Sequence, residues 1–512
     1  MRFNQLHFLS FFFVSTSLAA QCVDCQSQAI TGDPSEIKPE YAYVTSGWHR
    51  AASDVLEVGI IYGQSPNLLN SEVSKPTKRT RVQLKMDNLQ RGATYFYRAI
   101  VRTEKDTVHG QLRRFTTPVL SWDQLGSRID GQSQGDEAGD WVAISGDGRT
   151  LGIGAGHSDG AFNEGGEVRV YREINGQWQQ IGGPIYGVDK FDYFGKFLAL
   201  STDGNRLAVG SAWNDDFDRN AGHVRVFQYQ SGNWVQMGTT ILGSDRHEML
   251  GRSVWLNGDG SSLVVGAPRN DSTGINAGAA MVYDWNGSNW TRRGLAVGGE
   301  SAGDLFGRVV SISDNGNTIA VGAPNNDDGG TSAGHVRVFD WNGSSWVQRG
   351  NDIDGVESFE RSSKSFGLSG DGNTVAVGGY LNNDAGRNAG QCRMYRWNGS
   401  SWQLLGQPIN GDAAGDLCSY TLAVNGDGNI LALGSEKNNE NGNSAGKLRV
   451  FQWNGQQWQQ VAESLYGQEP LEDFTHGVAI SDDGKRVAVA SDKANYNGRL
   501  SGCVRVFELN EP

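Results

Sequence analysis

Cysteine is scarce in this chain, and its scarcity is the first of several informative absences. Five cysteines in 512 residues cannot form a disulfide-dominated scaffold. After the first twenty residues, no segment is apolar for long enough to span a bilayer. The formal net charge of −13 argues against nucleic acid or an anionic membrane as a partner, but it permits cationic partners, including divalent metal.

Recognisable catalytic motifs are also missing. The histidines are scattered, and no serine elbow, zinc-ligand spacing or phosphate-binding glycine loop occurs. Glycoside hydrolysis needs only two carboxylates at a suitable separation, so the sequence leaves that reaction open.

Residues 1–20 predict a secretory signal. One cation near the start precedes a short apolar run at residues 8–14, and the small residues Ala19 and Ala20 end the segment. We therefore expect a secreted, extracellular protein without membrane insertion.

Residues 21–35 are expected to form a linker that contains Cys22 and Cys25. In an oxidising compartment a local disulfide is expected between them, because no second cysteine pair or nearby histidine completes a metal site.

Residues 36–118 predict a small β-sandwich, since several segments alternate apolar and polar residues with a period of two. The pattern Leu89-x-x-Gly92-x-x-Tyr95-x-Tyr97, closed by RRFTTP, resembles the fibronectin type III domain. In that family the tyrosine pins a corner before the penultimate strands. The resemblance implies a spacer or an adhesive module.

A strict repeat fills the chain from residue 121 to residue 512. Turn glycines and tryptophans recur every 56 residues, seven times, without insertion or deletion. The tryptophans are Trp122, Trp178, Trp234, Trp290, Trp346, Trp402 and Trp458. Repetition this strict indicates one supersecondary unit used seven times.

Each 56-residue unit predicts four antiparallel strands, named A to D. In the unit at residues 304–350, RVVSIS alternates, TIAVGAP is nearly all apolar, and HVRVFDW and SWVQRG flank an Asn342-Gly343 turn. The last unit lacks its D strand, which residues 121–126 match in sequence. The predicted fold is therefore all-β: a seven-bladed β-propeller of four-stranded antiparallel blades, closed by strand 121–126 and preceded by the small sandwich.

The motif FGRVVSISDNG followed by VGAP resembles the FG-GAP repeat, which is found in the propeller of integrin α subunits and in many secreted proteins. The match is strong at Phe306-Gly307 with residues 322–324 and partial elsewhere. The resemblance implies a role in cell adhesion or in the extracellular matrix. The family's calcium loops lie between strands A and B, where this chain has only SGDG, STDG or SDNG, so those sites are not carried over. Calcium stays a candidate ligand elsewhere.

One position in the D–A loop is acidic in every unit: Asp136, Asp192, Glu248, Asp304, Glu360, Asp416 and Glu472. Seven-fold repetition would place these carboxylates in a ring at one end of the molecule, where they could form a cation or ligand funnel. Alternatively, each carboxylate bonds to backbone N–H groups of its own loop, or meets the arginine that most C strands carry.

A second set lies in the B–C loop, where Asp159, Asp215, Asp271 and Asp327 become Asn383, Asn439 and Asn495. Asp and Asn there suit turns with positive φ. These loops are long and emerge at the same end as the D–A loops, so we expect the ligand face at that end. Trp213, Phe191, Tyr193 and Tyr380 depart from the repeat on this face and could stack on sugar rings or fill gaps between blades.

The repeated tryptophans have two interpretations. They could form equivalent sugar sites of a multivalent lectin, or each indole packs on its partner strand beside a second tryptophan. Cys392, Cys418 and Cys503 lie in different units, and Cys392 is expected to be a buried thiol. Five N-glycosylation acceptors occur, at Asn270, Asn286, Asn289, Asn342 and Asn398.

These features favour non-catalytic recognition of an extracellular protein or glycan through the B–C and D–A loop face. A polysaccharide-active enzyme with carboxylates at the propeller axis, and a multivalent propeller lectin, are the alternative hypotheses.

Overall fold

The computed structural model describes residues 28–49, 54–77 and 79–510. The expected signal and the expected Cys22–Cys25 disulfide lie outside the described residues. The chain divides into two compact units, with the boundary between Leu120 and Ser121. In the described ranges, no helix is long and apolar enough to cross a membrane.

The first unit is built from two antiparallel sheets. Its strands are β1 (Gln28–Ile37), β2 (Ala42–His49), β3 (Val55–Gly63), β4 (Ser71–Pro76), β5 (Arg81–Met86), β6 (Thr94–Thr103), β7 (Thr107–His109) and β8 (Arg113–Thr116). One sheet has the order β1-β2-β5 and the other β4-β3-β6-β7, with β8 also paired to β6. Val44, Ile60 and Tyr97 belong to the buried core that both sheets share.

Two tyrosines of β6 fix the first unit at one corner. The hydroxyl of Tyr95 accepts a hydrogen bond from the backbone N–H of Gln90 at 2.8 Å, so the side chain holds the turn that precedes its own strand. The hydroxyl of Tyr97 donates to the carbonyl of Gly32 at 3.1 Å and ties β6 to β1 of the other sheet. Burial raises the pKa of Tyr97 to about 12.

The second unit consists of short strands throughout. In chain order they are β9 (Ser121–Gln124), β10 (Ile129–Asp130), β11 (Trp141–Ile144), β12 (Thr150–Ala155), β13 (Glu167–Ile174), β14 (Gln177–Gln180), β15 (Ile185–Tyr186), β16 (Phe197–Leu200), β17 (Arg206–Ser211), β18 (His223–Gln230), β19 (Asn233–Gln236), β20 (Ile241–Leu242), β21 (Ser253–Leu256), β22 (Ser262–Ala267), β23 (Ala279–Trp285), β24 (Trp290–Arg292), β25 (Val297–Gly298), β26 (Val309–Ile312), β27 (Thr318–Ala323), β28 (His335–Trp341), β29 (Trp346–Gln348), β30 (Ile353–Asp354), β31 (Ser365–Leu368), β32 (Thr374–Gly379), β33 (Gln391–Trp397), β34 (Trp402–Leu404), β35 (Ile409–Asn410), β36 (Cys418–Val424), β37 (Ile430–Ser435), β38 (Lys447–Trp453), β39 (Trp458–Gln460), β40 (Leu465–Tyr466), β41 (Gly477–Ile480), β42 (Arg486–Ser491) and β43 (Cys503–Asn510).

These strands form repeated four-stranded antiparallel sheets, which make the unit an all-β propeller as predicted. In the sheet β11-β12-β13-β14, the outer D position is split, because both β14 and β15 pair with β13. The same strand order recurs in the seven sheets of residues 121–510. The second strand of each sheet is the buried one, and all six residues of β27 are buried. An apolar run covered on both faces is what stacking between sheets requires.

The inner strands form a closed circuit around an axis. Each of them contacts the inner strand of the next sheet, and β41 contacts β11. The last sheet takes its outer strand from the beginning of the unit: β9 pairs with β43, with Trp122 opposite Leu509 and Ser121 opposite Asn510. The edge of β43 is therefore paired, and its sheet has an outer strand like the others.

Candidate ligand site at the axis

A cavity of ≈ 390 Å³ runs along the axis and is lined by the inner strands of all seven sheets. Ligand pockets commonly measure about 300–1,000 Å³, so the cavity has the size of a small-ligand site. Trp255 lines the cavity and keeps 42% of its surface exposed. The equivalent residues of the other units are small: Ala143, Ala199, Ser311, Gly367, Ala423 and Ala479.

One end of the cavity is narrow because the ends of the inner strands are hydrogen-bonded to one another around the axis. Backbone N–H groups of Gly146, Thr202 and Gly258 donate to the carbonyl of the equivalent residue in the next sheet at 2.9–3.1 Å. The carboxylates of Asp314 and Asp482 lie against glycines of this ring. Burial raises the pKa of both, and Asp314 adds to the effect at Asp482.

The opposite end, where the B–C and D–A loops emerge, is ringed by side chains from the position just before or at the start of each inner strand. The seven half-buried residues are Asp140, Lys196, Arg252, Arg308, Lys364, Tyr420 and His476, and all of them line the cavity. We call this set the mouth ring. Its two halves differ in charge, because four consecutive sheets contribute a cation.

Three of the four cations of the mouth ring lack nearby counter-ions, whereas the fourth, the Lys196 ammonium, lies 4.0 Å from Asp140 Oδ2. In the described part of the chain, Arg252, Arg308 and Lys364 have no carboxylate within ion-pair distance. The Arg252 guanidinium instead lies 4.1 Å from the ring centroid of Phe197, and the Lys364 ammonium lies 3.1 Å from that of Tyr420. These contacts are cation–π interactions, which compensate only part of a buried charge.

The pKa values of these cations are lowered mainly by burial and, to a smaller extent, by neighbouring like charges. Burial, followed by the charge of Arg308, lowers the pKa of Arg252 well below its ordinary value. Burial lowers the pKa of Lys364 to about 7, with help from Arg308 and Arg252 and against the attraction of Glu436. A bound anion would relieve this repulsion.

The other half of the mouth is acidic. His476 Nδ1 lies 3.6 Å from Asp492 Oδ1 and 3.9 Å from Glu436 Oε1, and both carboxylates are buried. Burial would lower the pKa of His476, but the neighbouring Glu436 and Asp492 carboxylates raise it to about 9. Burial raises the pKa of Asp492 to about 6, against the opposing charges of His476 and Lys493. This half therefore combines a cationic imidazole with a carboxyl group that titrates near neutral pH.

The seven repeated D–A carboxylates do not reach this cavity. All are buried, and six of them accept hydrogen bonds from backbone N–H groups of their own loops, as Asp192 does from Val188 and Asp189 at 3.0 and 2.9 Å. An asparagine 22 residues further on donates to five of them, the bonds being Asn214–Asp192, Asn270–Glu248, Asn326–Asp304, Asn382–Glu360 and Asn438–Asp416. These contacts favour the structural role over a ligand funnel.

Among the described residues, arginine partners occur at two of these carboxylates. Glu360 accepts from Arg393, and Glu472 accepts from Arg505, with both partners buried in each pair. A glutamate reaches the C-strand arginine in these sheets, whereas no described aspartate of the set does so.

The Asp and Asn residues of the B–C loops close those loops. Each side-chain Oδ1 accepts a hydrogen bond from the backbone N–H five residues later, as Asp327 does from Ser332 at 2.7 Å. The same bond recurs at Asp159, Asp215, Asp271, Asn383, Asn439 and Asn495. Each loop contains a residue with positive φ, but it is not the Asp or Asn itself. The positive φ lies at the donor, for example 47° at Ser332.

Of the aromatic candidates on this face, Trp213 lines the cavity. Tyr193 is half-buried and packs edge-on against Trp213 at a centroid distance of 5.4 Å. Tyr380 packs against Tyr420 of the mouth ring at 5.5 Å, while Phe191 is 48% exposed. Tyr193 and Tyr380 thus fill space against neighbouring rings, whereas Trp213 lines the cavity.

The repeated tryptophans are fixed between sheets. The indole N–H donates to a backbone carbonyl of the preceding outer strand or its end, in the pairs Trp178–Leu125, Trp234–Ile181, Trp290–Met237, Trp346–Arg293, Trp402–Arg349 and Trp458–Leu405. Trp341 and Trp346 also form the expected cross-strand pair, with centroids 5.3 Å apart. Their packing accounts for the repeat without a sugar site in every sheet.

Two smaller predictions concern single side chains. Cys392 is a buried thiol as expected, and Cys418 and Cys503 are buried as well. The glycosylation prediction at Asn270 is contradicted by burial, because its Nδ2 donates to Glu248 inside the protein and cannot carry a glycan. Asn286, Asn342 and Asn398 are exposed and Asn289 is half-buried, so these four stay predictions.

One protein family matches part of the propeller unit. Residues 295–339, from just before β25 to the middle of β28, match the FG-GAP repeat family. No curated protein sequence matches the chain.

Solved structures give distant matches. A candidate 6-phosphogluconolactonase from Bacteroides uniformis is 12% identical over 81% of this chain and 98% of its own, with a TM-score of 0.46. The β-propeller domain of the Trilobed protease from Pyrococcus furiosus is 12% identical over 72% of this chain and 97% of its own, with a TM-score of 0.40. The sensor domain of an anti-sigma factor from Pseudobacteroides cellulosolvens is 17% identical over 18% of this chain and 94% of its own, with a TM-score of 0.15. These matches carry no information about the activity of this chain.

Proposed function

We propose that this chain is a secreted recognition protein that binds an acidic extracellular glycan, non-catalytically, through the B–C and D–A loop face. In this proposal the chain pairs a fibronectin type III-like module with a seven-bladed, FG-GAP-like propeller. The ligand occupies the axial cavity. The three mouth-ring cations without a counter-ion, Arg252, Arg308 and Lys364, are the observation that carries the proposal.

The chemistry of the cavity supports a ligand that is both anionic and ring-shaped. Arg252 and Arg308 offer guanidinium groups, which bind carboxylates and sulfates through paired hydrogen bonds. Trp255 and Trp213 add aromatic surface for the apolar face of a sugar ring. The protein has a net charge of −13, which repels anions in general. Cations without counter-ions in one cavity therefore make that cavity the place where an anion is attracted.

A pair of probes that differ only in charge tests the proposal. We expect oligogalacturonate to bind the mature protein with a stoichiometry of one, measured by isothermal titration calorimetry, and its fully methyl-esterified form to bind much more weakly. Arg308→Gln should weaken binding about 10-fold or more, since hydrogen bonds to charged groups contribute about 1.5–3 kcal/mol.

Lys190→Gln is the matched control, because Lys190 is an exposed cation on a D–A loop that does not line the cavity. It should leave the affinity unchanged. Equal affinities for the two oligomers, or equal losses in the two variants, would refute the charge-based site. Several equivalent ligands per chain would instead favour the multivalent lectin.

The acidic half of the mouth favours a second candidate, a polysaccharide-active enzyme. A carboxyl group with a pKa of about 6 beside a cationic imidazole is an arrangement that general acid–base catalysis uses. Mass spectrometry of the same oligogalacturonate after incubation separates the two candidates. If shorter products appear, and if Asp492→Asn abolishes them, the enzyme hypothesis replaces the recognition hypothesis. An oligomer of unchanged length supports recognition.

A further inference from the structure

A cluster of four potential metal ligands lies outside the axial cavity, at the loop end of the sheet β26–β30. Glu300, Asp328, His335 and Asp352 each place one ligand atom within 4.8 Å of all the others. Glu300 lies in the connection that follows β25, Asp328 follows β27, His335 begins β28, and Asp352 precedes β30. None of the four lines the axial cavity.

His335 distinguishes this cluster from an ordinary group of surface carboxylates. Its side chain is completely buried, and neither ring nitrogen has a hydrogen-bond partner in the described structure. Nδ1 lies 3.5 Å from Asp352 Oδ2. A buried imidazole without a partner is costly, because its polar atoms have left water without a replacement.

The repeat supplies an internal comparison, since each position recurs every 56 residues. Two units later, Lys447 stands where His335 stands, and Asp412 and Glu440 stand where Glu300 and Asp328 stand. The Lys447 ammonium lies 2.8 Å from Asp412 and 2.7 Å from Glu440. In that sheet a cation built into the chain therefore bridges the two carboxylates.

The cluster around His335 lacks positive charge that the equivalent cluster around Lys447 has. Around Lys447, two carboxylates face two cations, because Arg449 also bonds Asp412 at 2.8 Å. Around His335, three carboxylates face one cation, Arg337, which lies 3.3 Å from Glu300 and 3.7 Å from Asp352. With a neutral imidazole, the cluster is short of two positive charges.

We propose that Glu300, Asp328, His335 and Asp352 bind one divalent transition-metal ion. One imidazole with three carboxylates suits Zn²⁺ or Mn²⁺, whereas Ca²⁺ takes oxygen ligands. The ion occupies the place of the Lys447 ammonium and pins the connection after β25 to the strands of the next sheet. Glu300 and Asp328 are exposed, so the ion has access from solvent.

The repeat also supplies the variants for the test. His335→Lys copies Lys447 and places an ammonium among the carboxylates, while His335→Gln copies Gln391, which holds this position in the following unit. The full-length mature protein is stripped with chelator and then titrated with ZnCl₂ or MnCl₂, with CaCl₂ for comparison. Bound metal is counted by equilibrium dialysis and elemental analysis.

We expect one Zn²⁺ or Mn²⁺ per chain in the natural protein, with an affinity that falls about 10-fold or more in each His335 variant. The thermal midpoint should rise with metal in the natural protein and become independent of metal in His335→Lys. Asp216→Asn, which changes a carboxylate 3.2 Å from His223 Nδ1 in another sheet, should bind metal normally.

Either of two results would overturn the site. One is binding of metal by His335→Gln and His335→Lys with the affinity of the natural protein, which would move the ion to another cluster. The other is failure of the natural protein to bind more metal than His335→Gln. His335→Gln carries the test alone if circular dichroism shows that His335→Lys is misfolded.

Discussion

Lys364 carries a charge that depends on pH in the neutral range. Burial and neighbouring guanidinium groups lower its pKa to about 7, so the ammonium is charged below that value and neutral above it. The carboxylates of an acidic glycan stay ionised throughout this range. We therefore expect the affinity for oligogalacturonate to fall as the pH rises from 6 to 8, because one attractive charge is lost.

Lys364→Arg isolates this contribution, because arginine remains charged at these pH values. In titration calorimetry, the variant should lose the part of the pH dependence centred near 7. Asp492 has a pKa of about 6 and gains negative charge as the pH rises, so a smaller dependence centred near 6 should persist. His476, with a pKa of about 9, stays cationic across the window. An unaltered pH profile in Lys364→Arg would exclude Lys364 as the titrating group.

At the residue scale, the sequence did not predict the mouth ring. The position holds seven side chains of differing charge and shape, with Lys196, Tyr420 and His476 among them, so periodicity alone does not single it out. The usable signal was that the residue after the repeated small residue is polar in every unit. The repeated carboxylates were easier to find but are structural, because burial and local N–H groups decide their role.

At the element scale, the outer strand of each sheet is held to its neighbour by a tryptophan. The indole N–H of Trp346 donates to the carbonyl of Arg293 at 3.2 Å, across the boundary between two sheets. Trp346→Phe keeps most of the apolar contact but leaves that carbonyl without its donor. We expect it to lower the free energy of unfolding by about 1 kcal/mol, the usual net worth of one hydrogen bond.

Trp341→Phe is the paired control, because Trp341 is the cross-strand neighbour of Trp346 on the same hairpin. This variant makes the same indole-to-phenyl change on the other strand of the pair. Chemical denaturation monitored by fluorescence should show the smaller shift in midpoint for Trp341→Phe. A larger shift for Trp341→Phe would mean that ring packing, and not the bond between sheets, dominates this contact.

Elements were predicted better than side-chain roles. The continuous apolar run at residues 318–324 gave the buried strand β27, and the Asn342-Gly343 turn gave the hairpin between β28 and β29. The split of the outer strand into two short pieces was missed, although a glycine with positive φ recurs at the break, as at Gly350 with φ of 77°. Local pattern specifies a strand's existence better than its interruptions.

At the scale of the whole molecule, closure of the ring depends on one pairing between distant parts of the chain. The backbone N–H of Leu125 donates to the carbonyl of Val506 at 2.8 Å, just beyond the β9–β43 ladder. The equivalent bond in the sheet of β13, from Ile181 to Val170 at 2.9 Å, lies beside a tight hairpin. Proline at either position removes the donor.

We expect Leu125→Pro to lower the thermal midpoint more than Ile181→Pro. The hairpin keeps β14 beside β13 even when one hydrogen bond is lost. Strand β9 is instead separated from β43 by nearly the whole unit in sequence, so pairing the two strands again costs more loop-closure entropy. Calorimetry of the two variants measures the difference, and hydrogen exchange should show the loss of protection spreading from β43 to β10 in Leu125→Pro. Equal midpoints would mean that the contacts of the inner strands around the axis hold the ring closed without the outer pairing.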